Sequence, residues 1–386
     1  MNLKIYDETA VRNLQINNKA AELFDEGNLT PPQYEQVKTD FPVVLNQPNL
    51  FVRLGLFFFT SLCIVFSIAF IAFLLNNANF GETGFGILLL IFSVALIVLN
   101  TNYIRNRHWY RQGSDNALCY ASITCFVSGV YLIGQFQSFS MVLLLSFVVL
   151  TIATYRYGDP LLAFSSFYTL VLTFISLIEE SQTPHFVLPF IGITLSLSVY
   201  YFSKTALKND DLYYWEDCLK VLEITGLVAL YGSINYYVVD KILLFNNEGM
   251  GVPTPFNMLF SVLTVVIPLV YLFFGIKTKD RILWILGSLG IVASIMTYRY
   301  YFAIMPIEWA LTLAGILVLV LVVFLIKYLK TPQHGFAYLL KTSKTNFIES
   351  LVMNQLLQQA AHTTTSEETV KYGGGDFDGG GAGSEY

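Results

Sequence analysis

The stretch Ile291–Leu329, IVASIMTYRYYFAIMPIEWALTLAGILVLVLVVFLIKYL, is two apolar runs joined by a short turn. Each run is long enough to cross a hydrocarbon core of about 30 Å as a helix. One cation, Arg299, stands inside the apolar part, where an isolated charge is costly. Similar hairpins recur upstream. The segment therefore decides the fold class: an all-α polytopic transmembrane helical bundle.

Composition points the same way. Of 386 residues, 55% are hydrophobic and only 13% charged, against about a quarter charged in soluble domains. Most of the surface must face something other than water. The apolar runs are continuous, without the alternation of an outer-membrane barrel. The net charge of -5 says little, because the basic residues are so unevenly placed. Cys63, Cys119 and Cys125 lie within apolar runs and Cys218 in a basic, cytoplasmic loop. All four read as small packing residues, since their spacing fits neither a metal site nor a disulfide framework. The chain opens on mixed polar residues rather than a basic-then-apolar leader, so the first membrane helix is expected to act as the insertion signal.

Ten spans are predicted. The first five are Leu54–Leu75, Gly84–Ile104, Ala117–Gln135, Ser138–Tyr155 and Pro160–Ile178. The second five are Phe186–Phe202, Leu219–Val239, Phe256–Ile276, Ile282–Ala303 and Trp309–Tyr328. With this alternation, all but two of the 22 Lys and Arg residues fall on one side, the exceptions being Lys241 and Arg299. The positive-inside rule then puts both termini in the cytoplasm. Trp109, Trp215, Trp284 and Trp309 all fall near predicted helix ends, as an interfacial aromatic belt requires.

Residues 1–50 read as a cytoplasmic helical hairpin arm. Its first helix is predicted over Glu8–Glu26, with Asp7 as N-cap and Gly27 as the stop. Thr30, Pro31 and Gln33 carry the signature of a capping box opening a second helix, which ends before Pro42. Two short helices bury little alone, so the arm is expected to rest on the membrane domain, 51–330, or on a partner. Residues 331–361 read as an amphipathic cytoplasmic helix, with the pattern running from Phe336 to Ala361. Residues 362–386 are polar and Gly-rich and are expected to be disordered; neither glycine run is followed by the lysine and helix of a phosphate loop.

A search for catalytic sets finds none that is specific. The histidines His108, His185, His334 and His362 are scattered. Glu179, Glu180 and His185 share what reads as a solvated loop, with no nucleophile at a telling spacing. Five charges remain as candidates for a ligand contact or a structural ion pair: Arg299, Glu308, Glu223, Lys220 and Arg156. Lys220 and Glu223 stand three apart, so they can pair on one helix face. Arg299 and Glu308 flank a short turn and can meet at the outer interface. Pro268, midway along the eighth span, frees a backbone carbonyl and reads as a helix kink. The tetrapeptide Thr154–Tyr157 recurs at Thr297–Tyr300, five spans later; chance in a Tyr-rich chain outweighs an inverted repeat. Span centres poor in carboxylates argue against a proton- or sodium-coupled pump and suit an apolar or lipid-like ligand, or a scaffold.

The arm segment Leu23–Phe41, LFDEGNLTPPQYEQVKTDF, resembles the lead of predicted bacterial polytopic membrane proteins of unknown function. Arg299–Leu329 resembles their carboxy-terminal hairpin, although Glu308 stands where a basic residue is common. The tail is similar to the Gly-aromatic-Gly tails of some bacterial envelope proteins. The resemblance implies a bacterial polytopic membrane protein and supplies no function. The expectation is therefore a multi-pass protein of the bacterial inner (cytoplasmic) membrane that binds or passes a small or lipid-like molecule. The alternative is a non-enzymatic scaffold that recruits partners through arm and tail. The partners expected are membrane lipids and a cytoplasmic protein; no cofactor, metal or nucleic acid is expected.

Overall fold

The computed structural model describes residues 4–323, apart from 26, 46–47, 77–80, 108, 135, 137, 182, 245–255 and several positions between 303 and 322. They belong to one compact unit, Met1–Tyr338; a second unit, Leu339–Tyr386, lies outside the described residues. So do all of the predicted amphipathic segment, 331–361, and all of the Gly-rich tail. Among the described residues the chain is helical and contains no strand.

The arm is α1 (Glu8–Asp25) and α2 (Pro31–Asp40). Asp7 accepts from the Thr9 amide at 2.8 Å, so it opens α1 as expected. Gly27, at φ +75°, carries the chain out of the helix. The Thr30–Gln33 capping box is formed.

The bundle follows as α3 (Leu50–Asn76), α4 (Gly81–Arg107), α5 (Ser114–Gly134), α6 (Phe139–Tyr157), α7 (Pro160–Ser181), α8 (Leu188–Ala206), α9 (Glu216–Ile234), α10 (Tyr236–Leu244), α11 (Asn257–Thr278) and α12 (Arg281–Phe302). Among the described residues, eight segments are long and apolar enough to cross a membrane: α3 to α7, α8 with its leading 3-10 turn, α11 and α12. They match the predicted spans to within about one helical turn. Beyond residue 307, Glu308, Trp309 and later described positions up to Val323 are helical, where the tenth span is expected.

The predicted seventh span differs from expectation. Leu219–Val239 is not one helix but α9 and α10, separated at Asn235. Asn235 has φ −62° and ψ 123°, an extended conformation. Its amide donates to Tyr231 O at 2.8 Å and closes α9. Its Oδ1 accepts from the amides of Tyr237 at 3.0 Å and Val238 at 3.4 Å and opens α10. One polar side chain thus outcompetes the continuing helix. Cys218 also moves: it is buried in the first turns of α9, not in a loop.

The helices pack as antiparallel hairpins, α4 with α5, α6 with α7, α8 with α9 and α11 with α12. Small residues allow close approach. A Cβ on Gly129 would stand 2.9 Å from Gly86 O, and one on Gly290 2.9 Å from the Pro268 ring. The outward faces are apolar, as Phe51, Phe59, Phe66 and Phe73 on α3 illustrate. Such a surface suits lipid rather than water.

The arm lies against one end of this bundle. Ile5, Tyr6, Val11 and Leu14 join Ile104, Tyr110, Cys119, Ala153, Tyr157, Leu162 and Tyr214 in a single buried cluster. The Ile5 amide donates to Arg156 O at 3.1 Å. The Tyr6 hydroxyl donates to Asp115 Oδ2 at 2.9 Å, and Gln15 Nε2 to Tyr213 O at 2.8 Å. The loop before α5 turns tightly at Gly113, φ +98°, where a Cβ would sit 2.1 Å from Arg53 O. Only glycine fits there. The arm, the α4–α5, α6–α7 and α8–α9 connections, and the α11–α12 turn thus meet through hydrogen bonds and ion pairs at one end, the same segments that share the basic residues.

Candidate functional site

At the other end of the bundle, α10, α11 and α12 enclose a cleft of about 400 Å³. It is lined by Tyr236, Asn257, Met258, Ser261, Thr297, Tyr298 and Tyr301. The α9 rise of 19 residues places the Asn235 break about 28 Å from the arm-docked end. The lining residues recur at helical spacing. Asn257, Ser261, Thr264 and Pro268 share one face of α11; Gly290, Ser294, Thr297 and Tyr301 share one face of α12. Both stripes turn toward each other.

A buried hydrogen-bond network floors the cleft. Pro268 has no amide, so Thr264 O, four residues before it, loses its helical donor. Ser294 Oγ donates to that carbonyl at 2.7 Å. The Thr264 hydroxyl donates to Phe260 O at 2.7 Å and accepts from the Tyr236 amide at 2.9 Å, which the helix break has freed. The Tyr231 hydroxyl reaches Gly290 O and Ser294 Oγ, each at 3.0 Å. Asn235 Nδ2 donates to Tyr231 Oη at 3.0 Å and to Thr297 Oγ1 at 3.1 Å. Two helix defects, at Asn235 and Pro268, are therefore each satisfied by side chains of the neighbouring helices.

Nearer the mouth, the Tyr298 hydroxyl donates to Ser261 O at 2.9 Å, and Tyr301 donates to Asp240 Oδ2 at 2.5 Å. Tyr237 packs edge-on to Tyr300, with the Lys241 ammonium over both rings. Asn257 Oδ1 is buried and has no hydrogen-bond partner among the described residues. A buried carbonyl oxygen without a donor is rare in folded proteins. Chemically the lining is neutral: hydroxyls, one amide, a thioether and aromatic rings. Such a lining can orient an uncharged polar or amphiphilic guest through hydrogen bonds; among the described lining residues none is charged.

The candidate charges fall elsewhere. Glu223 is buried and pairs with Lys204 of α8 at 3.0 Å, while Lys220 pairs with Glu216 at 2.6 Å. The expected Lys220–Glu223 pair is thus replaced by two others, because α8 presents a cation to the buried face of α9. Lys204 also reaches Asp280, in the α11–α12 turn, at 2.5 Å. Burial raises the Asp280 pKa, but the Lys204 hydrogen bond and charge outweigh it and hold the carboxyl below its ordinary value.

Arg156 ties the arm-docked end together. Its carbonyl accepts from the Ile5 amide and from the Tyr214 hydroxyl at 2.8 Å, and its guanidinium donates to Thr101 Oγ1 at 3.1 Å. Arg299 is half-buried in the last turn of α12, and Glu308 is exposed where helical backbone resumes. The turn between them lies largely outside the described residues. Pro268 is where expected, fully buried, with its freed carbonyl occupied. The two TYRY copies serve different ends: Tyr155 and Arg156 carbonyls hold Trp215 and the arm, whereas Thr297 and Tyr298 line the cleft.

The sequence places Glu180 in a solvated loop. Instead it ends α7 and caps α6, accepting from the Ser140 amide at 2.9 Å, from Ser140 Oγ at 2.7 Å and from Ser138 Oγ. The amino-terminal amides of α6 need an anion, and α7 supplies one. Asn235, Ser294 and Thr264 were missed altogether. Their signal was present as polar stripes at three- and four-residue spacing, but each residue alone is ordinary in a membrane helix. No protein-family model, curated protein or solved structure matches the chain, so its reading rests on its own residues.

Proposed function

We propose that the chain is a multi-pass protein of the bacterial inner membrane, with about ten spans and both termini in the cytoplasm, that binds a small uncharged or lipid-like molecule in the α10–α12 cleft. The basic bias of the arm-docked end supports the sidedness. The span count adds α9 and the helical stretch from Glu308 to the eight apolar segments. The binding reading is non-enzymatic, for the lining pairs no general base with a nucleophile. The observation that carries it is Asn257, a residue of the cleft lining whose Oδ1 is buried and has no donor among the described residues.

Native mass spectrometry of the purified full chain tests this. The wild type should retain a non-protein mass. Asn257→Leu removes the acceptor, fills the cleft, and should release that mass with little change in thermal unfolding. A wild type that carries no adduct, or a variant that carries the same one, would refute the reading.

A second reading, a membrane scaffold, has one observation in its favour: α2 buries none of its residues and offers a free surface. Replacing the exposed residues of α2 or removing 362–386 should then strip defined partners from affinity pull-downs; unchanged partners would end it.

A further inference from the structure

A second concave surface lies at the arm-docked end, remote from the cleft. It is a groove of about 870 Å³ between α1, the start of α3, the α4–α5 loop and the start of α9. Arg12, Lys19, Arg53, Arg111 and Lys220 line it. Two of these cations are neutralised within the protein, Arg111 by Asp217 at 2.6 Å and Lys220 by Glu216 at 2.6 Å. Arg12, Lys19 and Arg53 remain, against one further lining carboxylate, Glu22. The groove thus holds a net positive excess inside a concavity, where field lines converge.

Two further observations point to a ligand. Arg111 keeps a buried Nε–H without a hydrogen-bond partner among the described residues. Arg53 is half-buried in the first turn of α3 beside the exposed apolar side chains of Leu50, Phe51 and Leu54. A headgroup at Arg53 would therefore leave its acyl chains against the apolar outer face of α3. Arginine suits phosphate, because its planar fork binds two oxygens together. Basic residues at the inner surface also attract anionic lipid.

We propose that this groove binds a phosphate-bearing anion, supplied either by the headgroup of an anionic phospholipid in the adjoining leaflet or by a soluble phosphate ester. The site stands apart from the α10–α12 cleft, so the two readings fail separately.

The test uses the full chain in neutral detergent. It is titrated with phosphatidylglycerol or phosphatidylcholine by native mass spectrometry, and with inorganic pyrophosphate by calorimetry. The wild type should prefer an anion over phosphatidylcholine. The triple variant Arg12→Gln/Lys19→Gln/Arg53→Gln should lose that binding by about tenfold or more, as expected for charge-assisted contacts. Arg105→Gln/Arg107→Gln, at exposed positions in the last turn of α4, should leave it unchanged. If the triple variant fails to fold, Lys19→Gln alone, at an exposed position of α1, should weaken binding by about fivefold. Dependence on the groove for phosphatidylglycerol assigns the lipid, and dependence for pyrophosphate alone assigns a soluble ligand. Binding of neither anion, or equal loss in the groove and control variants, overturns the proposal.

Discussion

Ser294 Oγ donates at 2.7 Å to Thr264 O, the carbonyl that Pro268 leaves without a helical donor. The bond makes a backbone defect in α11 depend on a side chain of α12. Ser294→Ala should therefore leave a carbonyl unpaired in an apolar setting, at a cost of about 1–2 kcal/mol. Pro268→Ala restores the missing amide, so the double variant should lose less than the sum of the two single ones. Thermal unfolding in detergent across this double-mutant cycle measures the coupling; strict additivity would mean that the two residues act apart.

Asn235 closes α9, opens α10 and donates to both Tyr231 and Thr297. Asn235→Ala removes the cap and two buried hydrogen bonds, and should cost about 2 kcal/mol. The same variant should reduce any adduct held in the cleft, since Tyr236 and Thr297 lose their shared anchor. An unfolding midpoint equal to the wild type would show that the break needs no cap.

Docking of the arm should weaken in alkali. Tyr6 is buried; burial first, and then the Asp115 carboxylate, push its pKa well above the ordinary value of 10.0. Below pH 10 the phenol is protonated whether the arm is docked or free, and its contribution is complete. Above that value the free arm loses the proton while the docked one keeps it, so docking loses stability as pH rises. Limited proteolysis within residues 1–50 should accelerate above about pH 10 in the wild type. Tyr6→Phe should cleave faster at neutral pH, having lost the bond to Asp115, and should show a flatter pH profile.

Lys204 stands between Glu223 and Asp280, at 3.0 and 2.5 Å. Lys204→Met strands the buried Glu223 carboxylate and should destabilise the bundle by about 3 kcal/mol, the low end for a broken buried pair because Lys204 is partly exposed. Adding Glu223→Gln should recover much of that loss. An unfolding midpoint that falls further in the double variant would contradict the pairing.

The fold class, eight of the helices and the arm were legible because they depend on local properties. Apolar run length sets a membrane helix, Thr30–Gln33 sets a cap, and Gly27 sets a stop. Pro268 was legible as a freed carbonyl for the same reason. The partner of that carbonyl was not, since Ser294 lies a hairpin away. Lys220 and Glu223 illustrate the limit more sharply. Their spacing permits a pair, but Glu223 faces α8, and the cation waiting there is distant in sequence. Helical spacing says which residues share a face; it does not say which face is buried, or against what.

By itself, then, the sequence determined that this is an all-α chain of membrane-length helices, with a capped helical arm and its basic residues gathered in alternate connections. Those features follow from hydrophobic transfer, backbone hydrogen bonding and charge, each acting within a few turns of chain. Only the tertiary structure decided that α9 breaks at Asn235, that the arm docks on Arg156 and Asp115, and that a neutral cleft opens beside Thr297. Each of these depends on satisfying buried polar groups across helices, and which helix supplies the missing donor is set by packing alone.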